Sequence, residues 1–146
     1  MKVLIVIIGL VGNLKVTSYQ SLVKDTDSTP FHTSTGERVH GYGVAVSRDL
    51  LCGACRKLRK RCQHPENPTK LHYGDMLYIE DVGVKFVNDV MGATSWNKAT
   101  KKRVPIKQQL DVWVPSQKAE KTFHAQFGKR KLQVWKIKGE EHEQEK

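Results

Sequence analysis

From Lys15 onward one pattern recurs: short apolar or alternating stretches, each closed by Gly, Pro, Asp or Asn. Side chains on a strand point alternately to opposite faces, so such stretches make half-buried strands, and frequent turns keep them short. Residues 16–19 read as the first. A glycine turn at Gly41 and Gly43 leads into Val44-Ala45-Val46. In residues 76–82, Leu77 and Ile79 share one face and Tyr78 and Glu80 the other. After Gly83, residues 84–90 form a further strand carrying Asp89. Leu110, Val112 and Val114 share one face, opposite Asp111 and Trp113, and residues 131–138 make the last strand. A single helix is expected after Pro115. Ser116 is its N-cap, Ala119, Phe123 and Phe127 form one apolar stripe, and Gly128 follows its end. Lys129, Arg130 and Lys131 stand where the helix dipole favours cations. A chain of 146 residues holds one domain with one core. The expected fold class is mainly β: a small six-stranded barrel with one packed helix.

Two ends flank that domain, taken as residues 15–138. Val3 to Gly12 is an uncharged run behind Met1-Lys2. It has the size of a secretory h-region, usually about 7–15 residues, and falls short of the ~20 that span a bilayer. Residues 1–14 are therefore expected to be a signal-like segment or short anchor, which places the protein in the cell envelope or outside the cell. The alternative is a buried strand, because Val and Ile dominate the run. Residues 139–146 are an acidic tail. The whole chain has a net charge of +10, so it should accumulate near polyanions and release them as salt rises.

Residues 52–70 interrupt the pattern and read as an inserted surface loop rich in Cys and basic side chains. Cys52, Cys55, Cys62 and His64 are all potential zinc ligands. One disulfide with a spare thiol, or three free thiols, are equally open. The basic run 56–61, with Lys98, Lys101, Lys102 and Arg103, can contact phosphates. No aromatic side chains interleave with it, so it offers no base-stacking platform, and specific nucleic-acid binding is not expected. Asp89 and Asp111 stand inside strand-like runs. A carboxyl on a half-buried wall loses hydration, so its pKa rises, as a general acid near neutral pH requires. Trp113, two residues from Asp111, can floor a sugar ring. In Thr33-Ser34-Thr35-Gly36 the hydroxyls can bind a polar ligand or build a turn.

The order of these pieces resembles the three-aspartate (3D) domain, related to the C-terminal domain of membrane-bound lytic transglycosylase A. The resemblance rests on Val16-Thr17-Ser18-Tyr19, Thr33-Ser34-Thr35-Gly36, Gly43-Val44-Ala45-Val46, residues 73–79, Asn88-Asp89-Val90-Met91-Gly92, Leu110-Asp111-Val112-Trp113, Phe127-Gly128-Lys129-Arg130 and Leu132-Gln133-Val134-Trp135. It implies a double-psi β-barrel of bacterial or phage origin that cleaves the MurNAc–GlcNAc bond of peptidoglycan without water or cofactor. By the same resemblance Asp111 is the acid/base and Asp89 its partner. Trp113, Thr35 and Gly92 contact substrate, and no metal takes part. The expected partners are glycan strands and anionic wall polymers, bound by a monomer. The chain departs from the family pattern at Pro115 and Ser47, where aspartates are usual, and at Val90-Met91, where one glycine is lost. Two rival functions follow from these features: a non-catalytic wall-glycan-binding module, and a zinc-dependent nucleic-acid-binding protein built on the Cys/His set.

Overall fold

The structure, a computed structural model, describes residues 2–20, 32–62, 70–128 and 130–142. The polar loop at 25–30, His64 and the last four tail residues lie outside them. Ten elements follow in order: β1 (Lys2–Tyr19), β2 (Gly43–Val46), α1 (Gly53–Leu58), β3 (Met76–Ile79), β4 (Gly83–Val90), β5 (Thr94–Asn97), β6 (Lys102–Pro105), β7 (Gln109–Trp113), α2 (Gln117–Phe127) and β8 (Lys131–His142). Six of them close a barrel in the order β1-β7-β2-β4-β3-β8, while β5 and β6 form a separate hairpin. The β1–β7 and β2–β4 contacts are parallel and the other four antiparallel. Parallel neighbours need crossover connections, so the closure joins strands far apart in sequence. The six strands expected from the alternation are the six barrel strands.

Their inward residues are those the period of two selects. Leu14, Val16, Val44, Val46, Leu77, Ile79, Val87, Leu110, Val112, Leu132 and Val134 are buried in one cluster. Each such side chain taken out of water contributes about 1.5–3 kcal/mol. α2, whose Phe127 joins that cluster, behaves as its sequence requires. Ser116 Oγ accepts the Ala119 N–H at 3.1 Å, and the Phe123 and Phe127 rings meet at a tilt of 57° with centroids 4.8 Å apart. Gly128 is needed for a reason other than left-handed backbone. Its φ is −63°, and a Cβ there would lie 2.6 Å from both the carbonyl oxygen and a ring nitrogen of His124.

Three elements, α1, β5 and β6, differ from expectation. The segment expected as a plain surface loop contains a second helix, α1, and buries Cys52 and Cys55. The hairpin β5–β6 carries Trp96, Lys102 and Arg103, and Lys98 and Lys101 fall in its turn. Residues 2–10, expected as a signal or anchor, pair with residues 135–142 of β8 as a ribbon. That pairing buries little, since Leu4, Ile5, Ile7, Ile8 and Leu10 all remain exposed. Among the described residues no helix is long and apolar enough to cross a membrane.

One irregularity positions the site. β2 pairs with β4 as Val44↔Val87 and then Ala45↔Asp89, which leaves Asn88 as an extra residue in β4. A bulge of this kind flips the side chains after it to the other face. Strict alternation would put Asp89 beside Val87 in the core; the bulge turns it outward. Gly43 makes room for Asn88, because a Cβ on Gly43 would collide with the buried Asn88 side chain. Gly43→Ala should therefore destabilise the barrel by about 1–3 kcal/mol in urea unfolding. Adding Asn88→Ala should return part of that loss. An equal loss in the single and double variants would show that the collision is not the cause.

Candidate active site

β2 is flanked by β4 and β7, and Ala45 is the register partner of both aspartates: Asp89 on one side and Asp111 on the other. Thr17 of β1 is in turn the partner of Asp111. Register partners point to the same face. Thr17, Asp111, Ala45 and Asp89 thus form one row across four adjacent strands. Two strand spacings, about 9.5 Å, separate the backbones of the aspartates. Only the Ala45 methyl group stands between their side chains, so the space above it is open. That space is a cleft of about 1130 Å³, with Ala45, Asp89 and Asp111 in its wall.

The two carboxyls meet different surroundings. Asp111 Oδ1 accepts one hydrogen bond, from Thr17 Oγ1 at 2.9 Å. Thr17 is held in turn by Gln109 Nε2 at 3.1 Å. Burial dominates and pushes the Asp111 carboxyl up to about 7; the Thr17 bond opposes the shift, and the charges of Glu120 and Asp89 add to it. A carboxyl group so placed is part protonated at neutral pH and can give or take a proton there. Asp89 Oδ1 accepts two backbone N–H groups, from Ser34 at 3.0 Å and Val90 at 2.8 Å. They fix its orientation toward the cleft.

The Thr33–Gly36 segment does both things its composition allowed. It is a tight turn, with the Gly36 N–H donating to Thr33 O at 2.9 Å and Gly36 at φ +82°. It is also a wall of the cleft. Thr35 Oγ1 donates to Asn88 O at 3.2 Å, which ties the turn to the bulge, and Ser34 Oγ lies 3.0 Å from the Tyr73 hydroxyl. Thr35 and Gly92 therefore line the cleft with the aspartates. Trp113 is not among the described residues lining it; it sits on β7 opposite Tyr19 of β1.

Sequence reasoning missed several lining residues: Tyr19, Tyr73, Arg48, Arg56 and Arg59. Burial first, then the charges of Asp89 and Asp111, push the Tyr19 phenol well above its ordinary value, so it stays a neutral hydrogen-bond donor. The only signal for these residues is spatial, because they come from four separate segments. Ser47, where an aspartate was expected by resemblance, is fully buried and structural: its Oγ accepts the Gln109 N–H at 3.1 Å.

The cysteines lie apart from the aspartate row. Cys55 and Cys62 are bonded as a disulfide and Cys52 is a free, buried thiol. The histidine beside them among the described residues is His72, one of whose ring nitrogens is within 4.8 Å of all three sulfurs. No family model and no curated protein matches the chain.

The Asp111 environment has a consequence for stability. Its folded pKa lies above its ordinary value of 3.8, so the folded state loses stability as pH rises from about 4 to 7, and the loss is complete above 7. Asp111→Asn keeps the acceptor for Thr17 and removes the titration. It should leave the Tm near wild type at pH 4 and raise it by roughly 3–6 °C at pH 8. A Tm difference that does not change with pH would refute the buried, raised carboxyl.

Proposed function

We propose that this cleft cleaves the glycan strands of peptidoglycan as a lytic transglycosylase does, with Asp111 as its one acid/base group and Asp89 as its partner. The reading is carried by one observation: a desolvated carboxyl that titrates near neutrality faces an open cleft, with a second carboxyl on the same face two strands away, across Ala45. Protonated Asp111 gives its proton to the oxygen linking N-acetylmuramic acid to N-acetylglucosamine, and the C1–O bond breaks. The muramyl C6 hydroxyl then attacks C1, and its proton returns to Asp111. A 1,6-anhydro ring closes, no water is consumed, and the acid is regenerated. A carboxyl with a pKa near 7 suits both halves of that cycle. The partner carboxyl at Asp89, held by the Ser34 and Val90 N–H groups, faces the positive charge that develops on the sugar ring. Ser34 and Thr35 offer hydroxyls to the sugar from the wall beside it.

The surroundings support an envelope setting. Arg48, Arg56 and Arg59 at the cleft wall and the net charge of +10 favour anionic polymers. The exposed apolar side chains of residues 4–10 suit a segment that serves export or anchoring rather than the core.

Purified cell walls incubated with the protein should release anhydromuropeptides, identified by mass spectrometry. Asp111→Asn should lower that release by at least about 10²-fold, because the same group supplies acid and base. The rate should fall as pH rises above about 7, where Asp111 is ionised. Wall binding without soluble product would replace this reading with the non-catalytic glycan-binding module, and undiminished release from the Asn variant would remove Asp111 from the chemistry.

A further inference from the structure

The short helix α1 raises the question of what holds it. It is six residues long, its N-cap residue Cys52 makes no side-chain cap, and its one buried residue is Cys55. Helices shorter than about 12 residues are marginal without tertiary support. The support here converges on sulfur. Cys52 is buried, and its N–H donates to Leu71 O at 2.7 Å, which holds it beside the residue preceding His72. The ligand atoms of Cys52, Cys55, Cys62 and His72 all lie within 4.8 Å of one another.

Three features go beyond what a disulfide needs. The Cys52 and Cys62 sulfurs are 3.7 Å apart; sulfurs bound at about 2.3 Å to one tetrahedral ion are about 3.8 Å apart. His72 Nε2 is buried and has no hydrogen-bond partner among the described residues, whereas buried polar atoms are nearly always satisfied. The other ring nitrogen, Nδ1, lies 3.5 Å from Asp75 Oδ2, the position of the carboxylate that orients a metal-bound histidine. Asp75 is itself fixed. It accepts the His72 N–H at 2.8 Å and pairs with Lys136 at 3.0 Å.

We propose that the reduced protein binds one zinc ion through Cys52, Cys55, Cys62 and His72 Nε2, with Asp75 orienting the imidazole. Three sulfurs and one imidazole are soft and borderline donors that select zinc over magnesium or calcium, and four protein ligands make the site structural rather than catalytic. On binding, the three thiols give up their protons. The ion ties α1 to the barrel edge at Leu71 and thereby holds Arg56 and Arg59 at the cleft. The site is independent of the glycan chemistry proposed above, and its test measures metal alone.

Protein purified in a phosphine reductant without chelator should contain one zinc per chain by elemental analysis. Replacing zinc by Co²⁺ should give the visible bands of a tetrahedral site and sulfur-to-cobalt charge transfer in the near ultraviolet. Cys52→Ser and His72→Ala should each weaken zinc binding by at least about tenfold, and His64→Ala should leave it unchanged. His72→Ala can also unfold the segment, so His72→Cys provides a second arm: it keeps four donors, should keep the zinc, and should shift the cobalt bands toward an all-sulfur site. The proposal is overturned if fully reduced wild type holds no stoichiometric zinc and gives no cobalt bands. It is equally overturned if His64→Ala loses the metal while His72→Ala retains it.

Discussion

β2 lies between β4 and β7, and its hydrogen bonds to both strands decide where the two aspartates point. The strand is only four residues long and wholly buried, so neither neighbour can slide along it without exposing Val44 or Val46. A slip of one residue would exchange the core face for the cleft face. The register is thus fixed by apolar burial, while the polar row it creates lies on the opposite face. The core and the cleft use alternate residues of the same strands. The Asn88 bulge adjusts one of those strands by a single residue, and it is tolerated because Gly43 leaves space beneath it.

The cleft then sets a balance between desolvation and hydrogen bonding. Asp111 receives one hydroxyl donor, from Thr17, and that is too little to offset the loss of water around its carboxyl. Asp89 receives two backbone donors through the same oxygen. Chemically identical groups on the two strands that flank β2 thus meet different surroundings, and the turn at Ser34 donates to Asp89. Glu120, across on α2, works in the same direction as burial on Asp111. The helix packed on β1 thus has an electrostatic part in the cleft as well as a mechanical one.

How much of this was legible in the sequence follows from which interactions are local. The six barrel strands were readable because alternation records burial residue by residue, and the Leu110–Val114 pattern matches the burial it predicts. Ser116 was readable because an N-cap acts within three residues. The bulge was not: Val87 and Asp89 are two apart and read as same-face residues until the pairing with β2 is known. The hairpin β5–β6 was missed because all four residues of β6 are exposed, which leaves no apolar period to detect. Tyr19, Tyr73, Arg56 and Arg59 reach the cleft through closure of the barrel, and no spacing along the chain encodes that.

His72 belongs to the same class of omission. A search by spacing finds His64, two residues after Cys62, because short-range ligand pairs are what motifs describe. The structure instead brings in a histidine ten residues after Cys62, through the parallel bridge between Leu51 and Leu71. That bridge sets Cys52 and His72 side by side, each one residue past a bridging leucine. Three of the four donors follow Leu51 and the fourth follows Leu71, so an ion held by them would join the two segments at the point where they leave the barrel. A Cys55–Cys62 bond closes only a short loop within the first segment and leaves His72 and Cys52 with no covalent part. α1 already packs Cys52 and Cys55 into the core cluster; an ion would add a second link, through the buried His72 Nε2 that has no partner among the described residues.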